Sequence, residues 1–204
     1  MSRAFPPSHG ASAINGGSTD EGPIAVLLVL ALAQPLRAQR ACRGASTLVY
    51  ADSVSFFLDA PPGWILDCEA GRAQGPLTVL FRTGESWQTG PAVMYASVTT
   101  DTAKRPRAFA QRVKDEAADW RQGVPDATVT ERPSIKLKDG TVVLVQQFYS
   151  KADQLFEIVA YFPRGRIMPM LTLTGRTQQA FDQALPAFTQ LVRSYAVGPV
   201  VKKP

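Results

Sequence analysis

Two long runs, Thr128 to Leu137 and Thr141 to Tyr149, are rich in β-branched and aromatic residues and are separated only by Lys138-Asp139-Gly140. An Asp-Gly pair enters left-handed backbone at little cost, so the chain reverses tightly and the two runs pair antiparallel. A parallel pairing would need a long crossover, usually a helix, and there is no room for one. The same short connection recurs. Leu155 to Phe162 turns at Pro163-Arg164-Gly165-Arg166 and returns as Ile167 to Thr174. Hairpins of this kind dictate an antiparallel sheet.

The front half reads similarly. Thr47-Leu48-Val49-Tyr50 is a short strand, and Val54 to Ala60 is a second. Pro61 and Pro62 cannot donate to a ladder, so the sheet breaks there. Gly63 permits the bend, Trp64 brings a large apolar side chain back to the core, and Gly63 to Cys68 is a third strand. Leu77 to Arg82 and Ala92 to Val98 follow, joined by the loop Thr83 to Pro91. Pro133 lies inside the run that begins at Thr128 and marks an edge or a bulge.

Two segments change period. In Arg105 to Arg121, Phe109, Val113, Glu116/Ala117 and Trp120 fall three and four apart with charges opposite, which predicts a helix. Pro106 suits its first turn, and Gly123 and Pro125 end it. In the second helix, capped by Thr177, the buried stripe is Phe181, Leu185, Phe188, Leu191/Val192 and Tyr195, with a kink or join at Pro186. The order is three to five strands, a helix, four strands and a helix. It predicts an α+β fold, an antiparallel β-sheet packed with two main helices. Residues 39–196 form the single domain, and 197–204 a flexible tail.

Residues 1–38 read as a leader. Ile24 to Ala33 is an apolar run of ten residues without a charge. A spanning helix needs roughly 20. The run fits the core of a secretory signal peptide, with Leu36-Arg37-Ala38 as the cleavage site before Gln39. Asp20 and Glu21 stand where such a peptide carries positive charge. The chain is expected to be exported, periplasmic or secreted, with no transmembrane span after cleavage. Cleavage removes Arg3 and Arg37 but also Asp20 and Glu21, so the net charge of +5 is unchanged. The bases are scattered, so no nucleic-acid partner is expected.

Cys42 and Cys68 both survive cleavage, and cysteines in an exported chain usually pair. A bond between them would constrain the unfolded chain by roughly 3–4 kcal/mol in the entropic account. The corner at Pro61-Pro62 could equally hold the two sulfurs apart. Pairing therefore stays open at this point.

Phe56, Leu58, Pro61, Gly63 and Trp64, followed by strands, a helix, a meander and Pro186-Ala187-Phe188, resemble the PsbP/DcrB-like family over about residues 46–196. The resemblance implies an antiparallel sheet sandwiched by helices. Members include a lumenal extrinsic photosystem subunit, a Ran-binding import factor and exported bacterial proteins of unsettled role. None of the matched residues is catalytic in that group, so the resemblance implies a protein that docks on something.

The chemistry the sequence excludes is as informative. Its one histidine is His9, in the leader. The mature chain then lacks the base of Ser-His-Asp and Cys-His catalysis and the commonest ligand of zinc. No Gly-rich phosphate loop is present, and the two cysteines form no CxxC motif. Asp115, Glu116 and Asp119 cluster on the first helix, where pairing with Arg112 and Lys114 on a solvated face is the ordinary outcome. No catalytic, cofactor-binding or metal site is expected. Trp87, on the loop Glu85-Ser86-Trp87-Gln88, is a candidate partner contact, unless it folds over an edge of the sheet. Arg164 and Arg166, at a hairpin tip, are further candidates for an acidic partner. The leading reading is a non-catalytic exported protein that docks on an envelope protein or complex. The alternative is a small-molecule or lipid-binding module with a pocket between helix and sheet.

Overall fold

The structure, a computed structural model, describes residues 43–44, 46–51, 54–70, 75–124 and 126–199. All belong to one unit, Ala38–Pro204. The leader, Cys42 and residues 200–204 lie outside the described residues.

Eight strands form one sheet: β1 (Arg43–Gly44), β4 (Trp64–Asp67), β5 (Thr78–Arg82), β6 (Ala92–Thr100), β7 (Thr128–Lys136), β8 (Val142–Ser150), β9 (Leu155–Tyr161) and β10 (Ile167–Gly175). Their spatial order is β1-β4-β5-β6-β10-β9-β8-β7, and every pairing is antiparallel. Three more strands, β2 (Ser46–Ala51), β3 (Val54–Asp59) and β11 (Ala196–Val197), form a separate sheet of order β11-β3-β2. The helices are α1 (Phe109–Gly123) and α2 (Gln178–Ser194). This is the α+β architecture that the hairpin pattern predicts.

Pro61-Pro62-Gly63 is a corner: it carries the chain from the three-stranded sheet, at β3, into the eight-stranded one, at β4. The Trp64 N–H donates to the Pro61 carbonyl at 3.0 Å, and Gly63 takes φ 79°. A side chain at that φ would be strained, so the turn needs its glycine. Trp64 is buried, and the Arg82 guanidinium stands over its ring at 5.6 Å.

The sheet is covered on both faces, and β9 and β10 are therefore apolar almost throughout rather than alternating. On one face Ile158, Ala160, Leu171 and Leu173 pack with Phe181, Phe188 and Leu191 of α2 and with Phe56 and Leu58 of β3. On the other, Val159, Tyr161, Met168 and Met170 pack with Val113 and Ala117 of α1.

Four expectations need correction. α1 starts at Phe109, not Arg105; the Asp101 carboxylate draws the preceding segment, including the Arg107 N–H, into a loop, so Pro106 lies ahead of the helix. α2 carries Pro186 inside one continuous helix, so of the two readings of that proline, kink or join, the join is set aside. The front strands divide between two sheets instead of extending one. Residues 197–199 are not a loose tail: Val197 pairs with Phe56, the Gly198 N–H donates to Ser55 O at 2.8 Å, and the Ser55 hydroxyl donates to Pro199 O at 2.6 Å. Pro133 sits in the register shift between Arg132 and Ile135, on edge strand β7, as its missing N–H requires.

Candidate functional site

Two open recesses among the described residues stand out, one polar and one aromatic. The polar cleft, about 110 Å³, lies where β6 leaves the sheet for α1, between Thr99, Asp101, Arg107, Arg112, Asp115 and Asp119. Asp101, 2% exposed, organises it. Its carboxylate accepts from the N–H groups of Arg107 (2.7 Å) and Ala103 (3.1 Å) and from the Arg107 guanidinium (3.3 Å). These donors favour the ionised form and hold its pKa down at about 2. Arg107 also reaches Asp115 at 2.7 Å, and the Gln111 amide donates to the same carboxylate at 2.8 Å.

Arg112 does not pair on a solvated face. It is 4% exposed and turned inward, where it donates to the carbonyls of Gly165 (2.9 Å) and Thr99 (3.3 Å). Burial pulls its pKa down from the usual guanidinium value. An ionised Asp101 and a carbonyl-bound arginine hold fixed charges at neutral pH, and neither is poised to move a proton.

Arg166 is exposed, yet its guanidinium is committed to the chain itself. It donates to the carbonyls of Asp101 (3.2 Å), Ala103 (2.8 Å) and Lys104 (3.4 Å), clipping the loop before α1 to the β9–β10 turn. Arg164 is half-buried in that turn, where its backbone bridges to Ile167. Their spacing in the sequence does not translate into a shared cationic tip.

Trp87 is 5% exposed rather than displayed. It folds over Val79, Phe81 and Val93 and meets the Tyr95 ring edge-on, with centroids 5.8 Å apart. Arg176, which has no sequence signature, holds the loop down. Its N–H donates to Pro91 O at 2.8 Å, its Nε to Gly90 O at 3.0 Å, and its Nη2 to Gln88 O. The loop is a cover for the sheet, not a presented anchor.

The aromatic groove, about 350 Å³, opens between the first turns of α2 and the strands β8 and β9. Half-buried Tyr149 borders it, backed by the buried rings of Phe156 and Phe181, with successive centroids 5.1 Å and 6.3 Å apart. Gln147, Gln178 and Asp182 form the rim. Thr177 sets the helix start beside it by accepting from the Ala180 N–H at 3.2 Å. The groove was not legible beforehand because its three aromatics come from three elements. Among the described residues, Phe57, Val142 and Val197 are the large apolar side chains that stand more than two-fifths exposed.

Among the described residues, no group of three or more His, Cys, Asp or Glu stands together as a metal set, and no helix is long and apolar enough to cross a membrane.

Asp101 carries a pH consequence. Its folded pKa, about 2, lies below the ordinary 3.8. The linked stability is fully present above pH 4 and is lost as the pH falls through 2. Asp126 and Asp139 are lowered too, chiefly by the backbone N–H groups of Ala152 and Thr141 respectively. The urea midpoint is expected to drop between pH 4 and pH 2, less steeply in Asp101→Asn. A flat midpoint across that window would contradict the assignment.

No family model matches the sequence, and no curated protein matches it. Solved structures do. The chain is similar to cyanobacterial PsbP (CyanoP) from Synechocystis, at 14% identity over 76% of this chain and 93% of that one, with a TM-score of 0.45. It is also similar to a Pseudomonas aeruginosa protein of unknown function, at 16% identity over 79% of this chain and 99% of that one, with a TM-score of 0.40. The PsbP resemblance first seen in the residues is thus met again among solved structures.

Proposed function

We propose that this chain is an exported, non-catalytic protein that docks on an envelope protein or complex through the groove beside α2. The observation that carries the reading is the groove itself: a recess of about 350 Å³ in which half-buried Tyr149, backed by two buried rings, meets a polar rim of Gln147, Gln178 and Asp182. Aromatic side chains ringed by polar groups are the usual anatomy of a protein contact. The fixed charges of the polar cleft support a non-catalytic role.

The groove also gives the second reading its footing. It lies between helix and sheet, and about 350 Å³ falls within the size range of small-molecule sites. Three of its six lining residues are polar, which suits a protein surface better than a lipid pocket.

Photo-crosslinking probes at Gln147 and Gln178, with a control probe at Lys114 on α1, separate the two in intact cells. A discrete protein adduct from the groove positions and none from Lys114 is the expected result. No groove adduct, together with a small molecule that co-purifies with the native protein, would establish the ligand-binding reading instead. Export is tested separately by N-terminal sequencing of the mature protein, which is expected to begin at Gln39.

A further inference from the structure

The polar cleft continues inward between α1 and the sheet. Thr99 of β6 stands opposite Met168 of β10, and Ser97 stands opposite Met170. Side chains two apart along a strand share a face. Thr99, Ser97, Met168, Met170 and Thr172 therefore all project to the side that α1 covers. Thr99 and Met168 line the cleft. Ser97 is the next of the row along β6, and Thr172 lies diagonal to it, each step being about 7 Å.

The inner end of this row is unsatisfied. The hydroxyl oxygens of Ser97 and Thr172 are buried without a hydrogen-bond partner, and Thr172 is 1% exposed. A valine would have nearly the same shape as Thr172 and no orphaned oxygen, so the hydroxyl is a stability loss that folding does not require.

The outer end is acidic. Four carboxylates and two guanidinium groups line the cleft. Both guanidinium groups are committed, Arg107 to Asp101 and Asp115, and Arg112 to the carbonyls of Gly165 and Thr99. Asp119 is exposed at the mouth and makes no hydrogen bond or ion pair among the described residues. The carboxylates do not converge as a metal set. They suit a group that carries its charge on several N–H donors, which an ammonium does. Between the two ends lie Met168 and Met170, unbranched side chains that repack readily around an aliphatic chain.

We propose that the cleft and its inward continuation bind a short linear aliphatic amine with a hydroxyl at its far end. The ammonium sits against Asp115 and Asp119, the chain lies along the two methionines, and the hydroxyl pairs with Ser97 and Thr172. The site is on the face of the sheet opposite α2 and does not depend on the groove there.

Calorimetric titration of the intact protein with aminopentanol, and with pentylamine as the amine without a hydroxyl, is the test. Saturable binding of aminopentanol, about tenfold tighter than that of pentylamine, is expected. Thr172→Val should erase that advantage, and Ser97→Ala, a smaller change in the same row, should reduce it. Asp119→Asn should weaken both amines about tenfold. Glu131→Gln, on the edge strand β7, should alter neither. Absence of saturable aminopentanol binding overturns the proposal. So does an advantage over pentylamine that survives both hydroxyl variants. An equal loss in Glu131→Gln and Asp119→Asn overturns it as well, since the attraction would then be that of any surface carboxylate.

Discussion

Phe188→Ala is expected to lower the stability of the domain by about 3–5 kcal/mol, the range for emptying a buried phenylalanine site. Phe188 is 1% exposed and lies in the cluster where α2 meets β3 and the sheet. Its neighbours on the helix, Phe181 and Leu191, are equally enclosed, so nothing flexible stands ready to fill the void. A urea titration followed by circular dichroism measures the change, seen as a lower midpoint at unchanged slope. Phe57→Ala is the control. That ring is 43% exposed, and its removal should shift the midpoint far less. Equal losses at the two positions would mean that α2 is not the principal cover of this face.

Arg112→Met should cost about 2–4 kcal/mol. Methionine keeps the apolar stem and discards the guanidinium, so the carbonyls of Gly165 and Thr99 lose their donor in a buried setting. Arg107→Met removes an arginine of the same cleft whose side chain is 48% exposed, and a pair that open contributes only about 0–1 kcal/mol. The same titration compares them. If Arg107→Met proves the more damaging, the ion pairs of Arg107 with Asp101 and Asp115 outrank the buried guanidinium in holding α1 to the sheet.

Local chemistry made most of the architecture legible. Asp139-Gly140 announced a hairpin, Pro133 an edge strand, Thr177 a helix start and Pro61-Pro62-Gly63 a corner, because each acts on its own backbone. The division into two sheets was not legible. It depends on β11 reaching β3 across most of the sequence, and no short-range signal encodes such a pairing. Trp87 illustrates the other limit. A polar loop composition says surface, but Arg176, almost ninety residues away, draws the loop carbonyls down over Val79 and Phe81. The start of α1 was misplaced for a related reason: Pro106 is a good first-turn residue, yet the Asp101 carboxylate competes for the backbone there. The acidic cluster lies on α1 as its spacing implies, while Arg112 is an interior staple that the charge pattern of the helix does not reveal.

The small sheet is assembled from opposite ends of the described chain: Phe56 lies beside Val197, and Ser55 is tied to Gly198 and Pro199. It acts as a clasp that can shut only when β2, β3 and β11 are all present. Such long-range closure slows folding. Until it shuts, β3 presents an open flank, and a nascent or clipped chain that stops before Ala196 would carry that flank permanently.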